Sequence, residues 1–220
     1  MNGSLQQIIS NTTIPEDQWH QVAIIYNNGT ASLYIDGVLD TSVSSLSPPV
    51  STTQSFNVAA AGKGTLGDFF KGNIDEVRVW DVALTPAQLR YIMNQEIDNN
   101  TNVAGSYFNT TLGVTPTKNE VSALPWSNLA GYYPMSTYTY TNTKDESGNG
   151  NQGALRNLRT VDIQTAPLPY VSVANTDWDT ASTWVNGNVQ TIPGSASIVD
   201  PTRTVDWNIV QISSNVSMSN

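Results

Sequence analysis

The chain has 220 residues, a formal charge of -9 from 18 acidic and nine basic residues, and no cysteine. Basic residues this sparse offer no patch to neutralise phosphates, which argues against a nucleic-acid partner, and the missing thiols exclude a disulfide framework, thiolate metal sites and thiol catalysis. No apolar run approaches the roughly 20 residues that span a bilayer, so no membrane insertion is expected; the opening MNGSLQQIIS has neither a basic nor a sustained apolar region, so any export signal is expected upstream of it.

The first β signal is the alternation of Val22, Ile24 and Tyr26, ended by Asn27-Asn28-Gly29, residues that tolerate positive φ. Leu33 and Ile35 follow and lead into Asp36-Gly37, the dipeptide of two-residue hairpin turns, with Val38 and Leu39 starting the return strand. Asp36 is therefore read as a turn residue and not as a catalytic acid. Ser44 to Thr53 is a Ser/Pro/Thr loop, where Pro48-Pro49 excludes a central strand. Strands are predicted at Phe56–Ala60 and again over Phe69–Trp80, separated by the loop Ala61-Gly62-Lys63-Gly64.

One helix is predicted next. Thr85 is a good N-cap, Pro86 sits at the first helical position, Gln88 completes a capping box, and Leu84 can staple to Leu89. Leu89, Ile92 and Met93 make one apolar stripe, ending near Glu96. From Ile97 to Pro125 the chain is polar and reads as a linker with one weak strand near Ser106-Tyr107-Phe108. A second unit begins at Trp126. The last fifty residues hold Trp178 and Trp184, then the short apolar runs Ile198-Val199, Val205 and Ile209 to Ile212 with turn residues between them. The expected division is 1–96, 97–125 as linker, 126–170, and 171–220 as the truncated start of a further β module. The fold class is all-β with one short helix.

Four motifs in order give the first unit a likeness. These are Gln18-Trp19-His20-Gln21-Val22-Ala23, Leu33-Tyr34-Ile35-Asp36-Gly37, the stretch Gly72 to Trp80, and Ala83-Leu84-Thr85 before a short helix. Together they resemble the C-terminal half of laminin-G-like and pentraxin-like (concanavalin A-like) jelly rolls. The resemblance implies an antiparallel jelly-roll β-sandwich and a lectin-like or adhesive role. The motif that opens domains of this family, similar to Leu129-Ala130-Gly131-Tyr132-Tyr133-Pro134-Met135 followed by Asp145 to Gly153, lies downstream of these motifs. Either that segment opens a shortened second repeat, or it folds back and supplies strands to residues 1–96. The fold-back is favoured because an incomplete sandwich exposes sheet edges and an apolar face.

Asp145, Ser147, Asn149 and Asn151 place oxygen-bearing side chains at alternate positions, with Gly150 at the sixth, as tight calcium loops do. Arg156 stands where an EF-hand needs a bidentate Glu, so further ligands would come from elsewhere. The family resemblance implies a calcium held by this loop together with an acidic residue near Asp75 and Glu76. On a strand those two neighbours face opposite sides and cannot flank one glycosidic bond. The carboxylate spacings E-x-D-x-x-E and E-x-D-x-E of related glucanases are absent. His20 is the only histidine, and no G-x-S-x-G turn accompanies it, so it is read as a strand-end residue bonded to backbone or solvent. Tyr132, Tyr138 and Tyr140 are the candidate exposed aromatics that could stack on sugar rings.

The expectation is a non-catalytic, secreted or cell-surface binding or adhesion module, calcium-assisted, whose partner is a polysaccharide or glycoprotein glycan. A structural spacer without a ligand, or the appendage of a carbohydrate-active enzyme, are the alternatives. The oligomeric state is left open.

Overall fold

The structure is a computed structural model that describes residues 6–53, 55–61, 65–106, 117–136, 138–139, 141–156, 166–187 and 191–219. β1 (Val22–Asn27), β2 (Thr30–Ile35) and β3 (Val38–Val43) form an antiparallel meander with β2 in the centre. Both turns contain two residues at positive φ, Asn28 (46°) with Gly29 (83°) and Asp36 (51°) with Gly37 (75°). This is the conformation whose twist matches that of the flanking strands. Along β2 the alternation sorts side chains by face: Ala31, Leu33 and Ile35 are buried, whereas Thr30, Ser32 and Tyr34 are half-buried on the other side. A bulge pairs Leu33 with Thr41 and Tyr34 with Leu39, leaving Asp40 unopposed. Its carboxylate accepts hydrogen bonds from the Ser10 hydroxyl (3.0 Å), the Asn11 N–H (2.8 Å) and the Thr12 hydroxyl (2.6 Å), tying the preceding segment to the sheet.

The two strands expected between residues 56 and 80 are corrected. Residues 56–60 form no strand, and Phe56, Phe69 and Phe70 are exposed. Of the second stretch only β4 (Val77–Trp80) is extended and paired. The cause is local: Gly72 and Glu76 have φ of 153° and 55°, and the Asp75 carboxylate accepts the Glu76 N–H at 3.1 Å, a turn interaction that competes with a sheet ladder. Asp75 and Glu76 therefore precede the strand and do not lie on its two faces.

The helix α1 (Pro86–Ile92) starts as its sequence dictates, with the reciprocal capping box between Thr85 and Gln88. It ends before Glu96 because Glu96 already belongs to β5 (Glu96–Asn100), which pairs with β6 (Asn102–Ser106) and through it with β7 (Glu120–Pro125). The linker expected over 97–125 is thus, in its described part, a second meander. Its apolar anchors are spread thinly along the sequence, which hides them from a composition reading. Ile97, Val103, Val121 and Leu124 are all under 5% exposed, while the polar run from Asp98 to Asn102 is the end of β5, the turn at Thr101 and the first residue of β6.

β8 (Leu129–Tyr133) runs antiparallel to β4. The two lie over one core made by Leu84, Ile92, Ile97, Val103, Val121, Leu124, Trp126, Leu129 and Tyr132, against which Ile25, Trp80 and Tyr91 pack. Residues before 96 and after 126 therefore share one apolar interior. β9 (Asn142–Thr143) and β10 (Gly153–Ala154) form a short hairpin.

A second core gathers Tyr170, Trp184 and Ile192, with Trp178 and Val210 packed on it. Trp178 and Trp184 meet edge to face at 4.9 Å, across the single 3-10 turn Ala181–Thr183. β11 (Tyr170–Val171) pairs in parallel with β14 (Val210–Gln211), and β12 (Ser195–Ala196) pairs antiparallel with β13 (Thr204–Val205). Among the described residues the fold is all-β with one short α-helix, and its sheets are antiparallel except for the pairing of β11 with β14.

The two cores are joined at the Asp36-Gly37 turn. The Trp207 indole N–H donates to the Asp36 carbonyl at 3.2 Å, and the Arg90 guanidinium lies 4.1 Å from the Trp207 ring. Asn94 bridges as well, donating to the Pro167 carbonyl (2.6 Å) and accepting the Ile209 N–H (2.7 Å).

Candidate functional site

The loop expected to hold calcium is organised by Asp145. One carboxylate oxygen accepts the backbone N–H groups of Tyr132 (2.9 Å) and Ser147 (3.0 Å), and the other accepts that of Asn151 (2.9 Å). Burial alone would raise this carboxyl, but the Ser147 hydroxyl and those backbone donors hold it below the usual range. An ionised carboxylate has about four lone-pair positions, and here the loop's own donors engage them. The Ser147 oxygen accepts from both the backbone N–H and the side-chain amide of Asn149, each at 3.2 Å. Asn149 and Asn151 also tie back to β8, donating to the carbonyls of Leu129 (2.8 Å) and Ala130 (3.0 Å). These donors make a closed turn. Among the described residues no group of three His, Cys, Asp or Glu side chains could hold a metal. Of the loop-plus-acid set expected to hold calcium, Asp145, Ser147, Asn149 and Asn151 lie together in this turn, whereas Asp75 and Glu76 lie at the entry to β4, with Glu76 paired to Arg78.

Glu76 is committed elsewhere. Its carboxylate pairs with Arg78 and accepts the Tyr132 hydroxyl at 3.0 Å, while the Tyr132 backbone N–H serves Asp145. The two carboxyl groups thus sit at opposite ends of Tyr132. Arg78 also donates to the carbonyls of Ile92 (2.7 Å) and Gln95. Glu96, which no sequence motif marked, is fully buried and accepts the Ser136 hydroxyl at 3.1 Å. Burial pushes the Glu76 carboxyl up, against the opposing pull of Arg78, and burial with the nearby Glu76 pushes the Tyr132 hydroxyl well above its ordinary value. This network clamps β4, the end of α1 and β8 to one another.

Tyr132 is therefore not an exposed sugar platform: it is fully buried and edge-on to Trp126 at 6.3 Å. Tyr138 is 50% exposed, and Tyr140 lies outside the described residues. His20 differs from its expected state, bonded to backbone or solvent. Its Nδ1 lies 2.7 Å from the Asp36 carboxylate, both side chains are buried, and Asp36 also accepts the Gln21 N–H at 2.9 Å. The Asp36 side chain braces the strand entering β1, which explains an acidic residue buried in a turn.

A groove of about 430 Å³ lies on the Ile25 face of β1 and β2, at the rim of the first core, where they meet the segment entering α1. Register builds it. Ile25 stands opposite Ser32, and Asn27 opposite Thr30, so Ile25, Asn27, Ser32 and Tyr34 share one face, and Leu84 and Pro86 close one side. Thr85 is engaged in the helix cap and Thr30 with Ser44. Asn27, Ser32 and Tyr34 make no side-chain hydrogen bond among the described residues. The sequence held a faint signal for this face, the row Thr30-x-Ser32-x-Tyr34 alternating with apolar residues. Only the packing of the pre-helix segment turns it into a concavity.

Residues 1–90 match the family model described as the concanavalin A-like lectin/glucanases superfamily. No curated protein and no solved structure matches the chain.

Proposed function

We propose, from the premise that residues 1–90 are a laminin-G-like domain of the concanavalin A-like lectin/glucanase superfamily, that this protein is a non-catalytic binding or adhesion module acting at the cell surface or in secreted material, with a polysaccharide or glycoprotein glycan as its ligand. One observation carries the non-catalytic part. Hydrolysis of a glycosidic bond needs two carboxyl groups facing one cleft roughly 5–10 Å apart. The buried carboxylates Glu76 and Glu96 are instead engaged by Arg78, Tyr132 and Ser136 within the packed layers. Domains of this superfamily serve both as binding modules and as glycosidases, and the engagement of Glu76 and Glu96 inside the packed layers favours the first.

The reading does not rest on calcium, since the loop's own N–H groups already engage the Asp145 carboxylate. The test is retention of the full chain on immobilised polysaccharides and on a glycan array, with and without EDTA. Retention unchanged by EDTA, with no reducing ends released, is the expected result. Retention lost with EDTA would restore the metal, and release of reducing ends would overturn the non-catalytic reading. A structural spacer is the second reading, favoured by the Trp207 joint that fixes the two cores together; it predicts no retention on any glycan.

A further inference from the structure

The geometry points to the groove between β1, β2 and the start of α1 as the ligand site of this module, and to uncharged saccharides as the class it takes; this rests on the glycan-binding reading above. Asn27, Ser32 and the Tyr34 hydroxyl bring amide and hydroxyl groups that no described residue engages, set beside the apolar surface of Ile25 and Leu84. A lining that is apolar along one strip and rich in free donors and acceptors along another matches a pyranose, with its C–H face and its rim of hydroxyls. A purely apolar ligand would leave Asn27 and Ser32 dehydrated and unpaired. The volume of about 430 Å³ is in the range of small-ligand sites.

Charge selects within the saccharides. Among the described residues the lining contains no Lys, Arg, Asp or Glu, so a uronate or sulfate would enter a partly dehydrated groove without a counter-charge. The formal charge of -9 on the chain repels such polyanions at long range as well. Neutral chains such as amylose, mannan or a β-1,3-glucan meet neither penalty.

The experiment is affinity electrophoresis of the full chain through gels containing amylose, mannan, β-1,3-glucan, alginate or heparin. The comparison includes Asn27→Ala, Ser32→Arg, Tyr34→Ala and, as a control, Tyr138→Ala. Retardation by at least one neutral polysaccharide, weakened tenfold or more by Ser32→Arg and Tyr34→Ala but not by Tyr138→Ala, is expected. Near-UV circular dichroism verifies that each variant is folded; Asn27 is exposed at a strand end, so Asn27→Ala keeps the test intact if Tyr34→Ala does not fold. Neutral-glycan retardation unaffected by Ser32→Arg and Asn27→Ala would leave the binding function standing and overturn the groove. Retardation by alginate or heparin alone would overturn the neutral specificity. Retardation by none of the five would overturn the groove proposal, and an equally blank glycan array would sink the glycan-binding function with it.

Discussion

Asp145 shows how a motif can be chemically suggestive and structurally self-sufficient. Oxygen-bearing side chains at alternate positions are what a cation needs, but they are equally what a tight loop needs to satisfy its own N–H groups. In the structure the loop's donors engage the Asp145 carboxylate. This makes the residue a pH sensor for stability. Its folded pKa lies below the ordinary value of 3.8, so the unfolded chain takes up the proton first as pH falls. The stabilisation is complete above pH 3.8 and is lost below it, as pH falls through the folded pKa. Asp145→Asn, which puts an amide donor where Asn151 also donates, is expected to lose about 1.5–3 kcal/mol at pH 7. In urea melts at pH 7 and pH 3 the variant's midpoints should lie closer together than those of the parent. An unchanged gap would remove Asp145 from the acid response.

At the level of elements, the helix was legible because everything that starts it is local. Thr85, Pro86 and Gln88 act within one turn, and the structure contains both halves of the cap. Thr85→Ala should therefore cost about 1 kcal/mol, within the range of 0.5–2 seen for N-cap removal, read as a lower denaturant midpoint at constant slope. Loss of the Gln88 bonds to the carbonyls of Ser122 (3.1 Å) and Ala123 (3.5 Å) would push the value to the upper end, since the cap also positions that side chain against β7. The strands were less legible. The hairpin turns Asn28-Gly29 and Asp36-Gly37 announce themselves by residue type, but β5, β6 and β7 carry few apolar residues each and become a sheet only when stacked on α1 and Trp126. The expected strand over Phe69–Trp80 fails for the opposite reason: its hydrophobicity is high, but Gly72 and the Asp75–Glu76 turn break the extended run.

For the molecule as a whole, the Asp36-Gly37 turn does more than connect β2 to β3. A Cβ at Gly37 would come within 2.8 Å of Arg90 Cγ and 2.9 Å of Trp207 Nε1, so the turn and the C-terminal unit approach as closely as glycine allows. Trp207→Ala removes the hydrogen bond to Asp36 and the stacking on Arg90, and leaves the second core around Trp184 intact. The expected outcome is faster hydrogen exchange and proteolysis at the joint between residues 166 and 209, with protection in β1–β3 retained. Equal protection throughout would mean that Asn94 alone holds the two units.

By itself the sequence determined the all-β class, both hairpin turns, the capped helix and the likeness of the first ninety residues to the concanavalin A-like lectin/glucanase superfamily, because each of these is encoded by residues a few positions apart. It named the acidic and aromatic side chains but not their company. Burial beside Arg78 turned Glu76 into a clamp, burial against Trp126 withdrew Tyr132 from solvent, and the register of β1 on β2 put Asn27, Ser32 and Tyr34 on one open face. Those outcomes belong to tertiary structure because a side chain's chemistry depends on its dielectric surroundings and its partners, and both come from segments up to 171 positions away in the chain, as in the bond between Trp207 and Asp36.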